Sequence, residues 1–392
     1  MNPEEQQIRP RRVVLLTNIP SPYRVPFFKE LSSFLDFHVV FDALTEGNRH
    51  WQTPASLPIN HSYARGFTVS YTRRRRDGFP QERRELHLRP GILAELIRIK
   101  PELVVSQELG FRSLVALMYC AARNVPLILW QEGTAHTEGW VGLPKQFLRR
   151  RLCRFASRIW GNGIQSAALV HAYAPQTPTD DGMTGVDTNW FAQGVRALLP
   201  ERDAMRLERS VRRVCFLCVG QLVERKGVRQ LLEAVGRTEQ IAQDFTLLLA
   251  GEGPLRAEVE AWQRGHPEFD LRILGQLAPE ELLKMYAIAD VLLLPTLDDN
   301  WALATLEGAV AGLPQIFSKY NGAFVELTAY GVAGEVIDPL DLDAFVACLK
   351  RFVARPPQRL PDETVDALVL YYSPREFALR AVTSIGKALG HI

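Results

Sequence analysis

Apolar residues along this chain alternate between two patterns. Short continuous runs bounded by turn residues read as strands buried on both faces: residues 12–17, 37–41, 102–106, 126–130 and 158–160. Between them, apolar residues recur three and four positions apart and predict helices over 26–34, 92–99, 113–123, 143–155 and 165–173. Residues 47–89 break the rhythm; they are polar and arginine-rich and read as a long loop or irregular insertion. A second pause spans Phe191 to Arg213, a charged stretch with one helix signal and no strand, where we place the domain linker. The alternation then restarts, with strands over 214–219, 245–250, 271–274 and 291–295. Helices are expected over 227–237, 254–265, 279–288 and 302–310. Ser373-Pro374 precedes a helix over 375–389, because serine caps well and proline suits a first turn.

Strand and helix in strict alternation predict an α/β fold of two doubly wound, Rossmann-like parallel sheets. At 392 residues the chain exceeds one ordinary core. We expect an N-terminal domain over 1–195 and a C-terminal domain over 205–373, with the helix 374–392 packing back on the first. Ligands of such sheets sit at the carboxyl ends of strands, so two facing halves would make a cleft.

Composition narrows the picture little. A hydrophobic content of 47%, a charged content of 23% and a net charge of +2 fit a globular protein and name no nucleic-acid partner. The arginines are clustered, however: Arg73 to Arg76 with Arg83 and Arg84, and Arg149 to Arg151 with Arg154 and Arg158. Each cluster is either a solvated surface or a contact for anionic lipid headgroups or a phosphorylated acceptor. Five cysteines argue against a disulfide scaffold. Cys215 and Cys218 stand three apart on a predicted strand and so face opposite ways; we read them as core packing, not as metal ligands. No segment has the ~18 apolar residues needed to span a bilayer. The first twelve residues are polar, without a leader's apolar core. A cytoplasmic protein is expected, with peripheral membrane contact as an option.

The chemistry concentrates after the strand 291–295. Asp299 and Glu307 straddle a strand-to-helix turn, one at the helix mouth and the other about two turns deeper. A helix start carries unpaired N–H groups that suit a diphosphate, and carboxylates beside it suit sugar and ribose hydroxyls. Gly220-Gln221-Leu-Val-Glu-Arg225-Lys226-Gly227 also joins a strand to a helix, where glycine permits close approach and Lys226 brings positive charge. On its own this is equally a charged surface turn. Gly251-Glu-Gly-Pro254 is a tight turn. Gly275-Gln276 either offers a free backbone amide and carbonyl to a nucleobase or serves a turn.

In this order and spacing, Val219–Gly227, Leu249–Pro254, Leu274–Gln276, Ala289–Pro295 and Asp299–Pro314 resemble the family 4 retaining glycosyltransferases of the GT-B fold. The resemblance is dense in the C-terminal half and looser in the N-terminal half. There, Asn18–Phe27 occupies the first strand-to-helix turn and Gly185–Phe191 looks like the entry to the linker. It implies that Asp299 stands where the family has the first of two glutamates, beside the donor sugar, and that Glu307 is the second, on the ribose. Lys226 takes the place of the diphosphate-binding lysine. The family's partner arginine is Gln221 here, so either the diphosphate is held less firmly or Arg225 compensates. The amides of Ala302, Leu303 and Ala304 are expected on the phosphates, with Gly322 and Glu326 beside the donor. Glu326 is otherwise a helix N-terminal carboxylate. On the acceptor side the turn Ile19–Arg24 would present Tyr23 and Arg24, or be merely structural. Glu132, ahead of His136, is the candidate nearest the donor sugar after the strand ending at Trp130, and Glu108 is a further candidate.

The resemblance implies transfer of a sugar from a nucleotide-diphosphate donor, such as a UDP or GDP sugar, to a carbohydrate, lipid-linked or small-molecule hydroxyl, with the anomeric configuration retained. No metal or other cofactor is expected, since no His, Cys or acidic cluster appears and Lys226 can do a cation's work. The alternatives are a non-catalytic nucleotide-sugar-binding protein of this fold, favoured by Gln221, and a nucleotide-sugar epimerase. A dinucleotide dehydrogenase is disfavoured because the first strand runs into Asn-Ile-Pro-Ser-Pro instead of a glycine fingerprint.

Overall fold

A computed structural model describes residues 11–46, 57–73, 82–138, 141–182 and 186–390. The chain divides into two compact units. Residues up to Arg73, Arg83–Thr184 and Pro374 onward form the first, and Gly185–Ser373 the second.

The first unit is built on β1 (Arg12–Thr17), β2 (Asp36–Phe41) and β3 (Asn60–Tyr63), with β4 (Phe67–Arg73) and β5 (Glu82–Leu88) set apart as a two-stranded sheet. Then follow β6 (Leu103–Gln107), β7 (Leu127–Gln131), β8 (Arg158–Gly161) and β9 (Thr179–Asp181). Seven strands lie in the order β3-β2-β1-β6-β7-β8-β9, all neighbours parallel. The described parts of the stretch 47–89, expected as a long loop or irregular insertion, thus lie largely in strands. Asn60–Tyr63 and its neighbours were illegible because they are polar, and an edge strand needs only one buried face.

In the second unit β10 (Val214–Val219), β11 (Phe245–Ala250), β12 (Asp270–Gly275), β13 (Val291–Leu294), β14 (Gln315–Ser318) and β15 (Gly334–Ile337) are ordered β12-β11-β10-β13-β14-β15. Neighbours are again parallel. Central strands carry the uninterrupted apolar runs because helices cover both faces. Phe216, Leu247, Leu293 and Ile316 meet Leu231, Val259 and Phe345 in one core.

The stretch expected as a linker is not one. Residues 191–213 lie largely in two helices, Thr188–Leu198 and Arg202–Glu208. Both pack on the helix Pro279–Ile288 within the second unit. Arg202 and Arg206 hold Asp290, which also accepts from the amide of Cys215. The charges that suggested a solvated linker are pinned to the sheet's lower rim. The C-terminal helix Pro374–Ala388 packs on the helix Val25–Phe34 of the first unit. Its Ser384 accepts from Trp160 Nε1 at 2.8 Å and donates to Asp180 at 2.5 Å.

All five cysteines are unpaired. Burial pushes the thiols of Cys215 and Cys218 up to about 12, which suits packing and not ligation. Among the described residues no helix is long and apolar enough to cross a membrane.

Candidate active site

In each sheet the strand order reverses beside the first strand, and the crevice at that reversal opens at the carboxyl ends of its two flanking strands. In the second unit these are β10 and β13. The loop after β10 carries Gly220 to Lys226, and the loop after β13 carries Asp299 to Ala302. Topology, not sequence distance, brings the two together.

The contacts are direct. Lys226 Nζ donates to Asp299 Oδ2 at 2.5 Å. Arg225 Nη1 lies 3.8 Å from the same oxygen, and its Nη2 donates to Gln221 Oε1 at 3.3 Å. The other carboxylate oxygen accepts from the Trp301 amide at 3.2 Å. Burial works against the ionised form of Asp299, but Lys226, Arg225 and the Trp301 amide outweigh it and hold the carboxyl below its ordinary range. The backbone fastens the loops as well: the Arg225 carbonyl accepts from the Leu297 amide at 2.8 Å and the Thr296 hydroxyl at 3.0 Å. Gly227, at φ 71°, sits so close that a Cβ would fall 1.8 Å from the Pro295 carbonyl oxygen.

The glycine turns interlock. Gly220 donates to Ala250 and Gly251 donates to the Gly275 carbonyl, at 2.9 and 2.8 Å. A Cβ on Gly251 would lie 1.9 Å from the Gly220 oxygen. The Gly275 carbonyl is therefore not the free acceptor expected for a nucleobase. Gln276 follows it on the same turn. A small cavity beneath this layer is lined by Cys218, Gly220, Gln221, Lys226, Pro295 and Ala302.

The helix Leu303–Val310 begins at Ala302. The Ala302 amide is not open to a phosphate, because Asn321 Oδ1 accepts from it at 3.3 Å. Asn321 is wholly buried; it also accepts from Ala323 and donates to Thr305 Oγ1. The amides of Leu303 and Ala304 have no acceptor among the described residues. Glu307, further along the helix, accepts from the buried Tyr286 hydroxyl at 2.7 Å. Burial pushes the Glu307 carboxyl up, and the tyrosine offsets this only in part. Gly322 donates to the Asp299 carbonyl at 3.1 Å. Glu326 accepts from Trp301 Nε1 at 2.7 Å, an anchoring contact that sequence reasoning missed. Asn321 and Tyr286 were also missed. Their contacts with Thr305 and Glu307 join segments distant along the chain, so no local pattern marks them.

In the first unit the flanking strands are β1 and β6. Asp42, Asn18, Glu108 and Glu132 each follow the last residue of β2, β1, β6 and β7, neighbours in that order. Parallel register sets them side by side along the sheet's carboxyl edge. Arg24 does not reach outward. It is 7% exposed, and donates to Gln107 Oε1 at 2.9 Å and to Glu132 Oε1 at 2.5 Å. Burial opposes its charge, but Glu132, Tyr23 and Glu108 more than compensate and raise its pKa. Gln107 Nε2 donates to Glu132 as well, at 2.8 Å. Glu132, the first candidate there, is thus held by a buried arginine, while His136 lies on the short helix Ala135–Glu138 and is half-buried. Glu108 is exposed, on a left-handed backbone of φ 67°. Arg112 closes the row by pairing with Asp42.

The second arginine cluster is not a uniform surface. Arg149 is buried against Glu138 at 2.8 Å, and Arg158 is paired with Asp180. Arg150, Arg151 and Arg154 are exposed. Arg74 to Arg76, Gly185 and the side chains of Arg73, Arg83 and Arg84 lie outside the described residues.

This architecture is the GT-B fold. Sucrose-phosphate synthase from Thermosynechococcus elongatus superposes with a TM-score of 0.71 at 16% identity, covering 97% of this chain and 100% of that one. HepE of Anabaena, solved in complex with UDP, superposes at 0.67 with 14% identity, covering 96% and 100%. Residues 202–362 match the family model of the glycosyl transferases group 1, a match confined to the second unit. Among curated proteins, the sulfoquinovosyl transferase SQD2 of Arabidopsis thaliana is 24% identical over 68% of this chain and 52% of its own length. The 2-deoxystreptamine glucosyltransferase of Streptomyces kanamyceticus is 31% identical over 30% and 27%. These matches span about half or less of the relatives' own lengths.

Proposed function

We propose that this protein is a retaining glycosyltransferase that moves a sugar from a nucleotide-diphosphate donor to an acceptor hydroxyl without a metal ion. The observation that carries the reading is the meeting of Lys226, Arg225 and Asp299 beside the helix start where the Leu303 and Ala304 amides are unspent. As the sugar becomes oxocarbenium-like, negative charge grows on the departing diphosphate. Lys226 and the two amides would stabilise that charge where it develops. Arg225, bridging Gln221 and Asp299, would supply the positive charge missing at Gln221. Asp299 would hold Lys226 in place and offer its remaining acceptor capacity to a sugar hydroxyl. Glu307, steadied by Tyr286, would take the ribose. The acceptor oxygen would bond to the anomeric carbon on the face the diphosphate leaves and pass its proton to the departing phosphate oxygen, so no protein nucleophile is required.

The acceptor would lie against the carboxyl edge of the first sheet, with Glu132, Glu108 and Tyr23 as candidate contacts. HepE of Anabaena, solved in complex with UDP and with UDP-glucose, favours a UDP sugar as the first donor to try. Glycan or glycolipid synthesis in the cytoplasm, with peripheral membrane contact, completes the reading.

Incubation with a panel of UDP and GDP sugars tests it. Release of nucleotide or transfer of sugar, undiminished by EDTA, is expected. Lys226→Ala should slow turnover by about 10²–10³-fold, the loss typical of one transition-state donor. Donor binding without any turnover would instead establish a non-catalytic binding protein. Full activity of Lys226→Ala would remove the role given to Lys226.

A further inference from the structure

The helix Leu143–Phe155 belongs to the first unit, and its outward face has no part in the site described above. Its sequence holds Lys145, Arg149, Arg150, Arg151 and Arg154 and no acidic residue. At 3.6 residues per turn, Leu143, Phe147, Arg150, Arg151, Arg154 and Phe155 fall within an arc of about 140°. Leu152, Cys153 and Arg149 occupy the opposite side and are buried.

The outward arc is unusual in what it exposes. Leu143 is 80% exposed, Phe147 60% and Phe155 64%. Scattered single apolar residues on a surface are ordinary, but three large ones on one face of one helix are not. Arg150, Arg151 and Arg154 lie between them and pair with no carboxylate among the described residues. The Arg151 guanidinium lies 5.0 Å from the centre of the Phe147 ring. Arginine can lay its stem along apolar surface while its head stays wet.

We propose that this face lies on the surface of a bilayer rich in anionic lipid, with Leu143, Phe147 and Phe155 entering the boundary of headgroup and acyl chain and Arg150, Arg151 and Arg154 on the headgroup phosphates. Charge complementarity selects a negative partner, and the interleaved aromatic and aliphatic side chains select one with a fluid apolar layer beneath the charge. A duplex or an acidic protein would answer the arginines but leave Leu143 in water. The inference sharpens the peripheral contact in the reading above. It does not depend on sugar transfer, because vesicle binding is read without substrate.

The experiment is co-sedimentation of the full chain with vesicles of phosphatidylcholine alone and of phosphatidylcholine mixed with phosphatidylglycerol. Binding only to the anionic vesicles is expected. Replacing Arg150, Arg151 and Arg154 together with Gln should weaken it on the order of 100-fold, since each cation near such a surface contributes roughly one kcal/mol. Replacing Leu143, Phe147 and Phe155 together with Ser should also abolish sedimentation, with thermal unfolding and nucleotide-sugar turnover unchanged because all three side chains already face solvent. Phe147→Trp gives an independent reading: its emission should shift to the blue on anionic vesicles. Failure of the unaltered protein to bind phosphatidylglycerol vesicles overturns the proposal. So does binding that survives the serine replacements, or equal binding to a short DNA duplex, either of which would mark a surface for polyanions in general.

Discussion

Single residues at this site are defined by what holds them. Asp299 is the plainest case. Its ionised form is stabilised by Lys226, Arg225 and the Trp301 amide against the cost of burial. A carboxyl whose pKa is depressed by folding binds fewer protons folded than unfolded. Its contribution is therefore present above the unfolded carboxylate pKa and is lost as pH falls through the folded value. In the unaltered protein this loss belongs below the ordinary aspartate range. Lys226→Met removes the nearest cation and leaves a buried carboxylate half-paired, at a cost of about 3 kcal/mol at neutral pH. Asp299 then has less stability to lose on acidification, so the gap between the two proteins should narrow as pH falls below the ordinary aspartate range. Urea midpoints measured from about pH 7 down to about pH 3 check this. Identical midpoint profiles for the two proteins would show that the pair contributes nothing. The roles of Lys226 and Asp299 were suggested by the resemblance, but their bond to each other was not, because 72 residues of intervening chain carry no sign of the distance between their side chains.

At the scale of elements, the helix Leu303–Val310 shows how a helix start is capped from a distance. It has no side-chain cap of its own at Ala302, and the cap comes instead from Asn321, on the loop after the next strand. Asn321→Ala would strip acceptors from the Ala302 and Ala323 amides and a donor from Thr305 at once. A loss of about 2 kcal/mol is expected, at the upper end for a capping residue. Thermal unfolding reads the loss, and donor-induced stabilisation should shrink in the same variant. The elements legible beforehand were those with a strong period or an uninterrupted apolar run. The helices 143–155 and 279–288 have the bounds read from the sequence. The strands β14 and β15 were not anticipated: Gln315–Ser318 and Gly334–Ile337 are short, mixed in polarity, and made strands by the neighbours they pair with.

For the molecule as a whole, the order of the chain and the order of its parts differ. The last helix leaves the second unit and completes the first, burying Phe377, Ala378, Ala381 and Ile385. Its Ser384 satisfies the indole of a Trp160 that is almost wholly buried. Ending the chain at Ser373 should therefore destabilise the first unit rather than the second. Trp160 and the helix Val25–Phe34 would be uncovered, and limited proteolysis should cut the first unit before the second. Ser384→Ala isolates the polar part of this contact and should cost about 1–2 kcal/mol, the price of an unsatisfied buried donor.

Periodicity and composition were enough to determine two parallel α/β halves and the placement of most central strands and helices. Such features are local: they follow from which residues within a few turns share a face. Only the tertiary structure decided that Lys226 is bonded to Asp299, that Arg24 is buried beneath Glu132, that the supposed linker is packed helix, and that part of one arginine cluster is interior. Those facts depend on which strands become neighbours, and parallel strands are brought together by crossovers whose ends lie far apart along the chain.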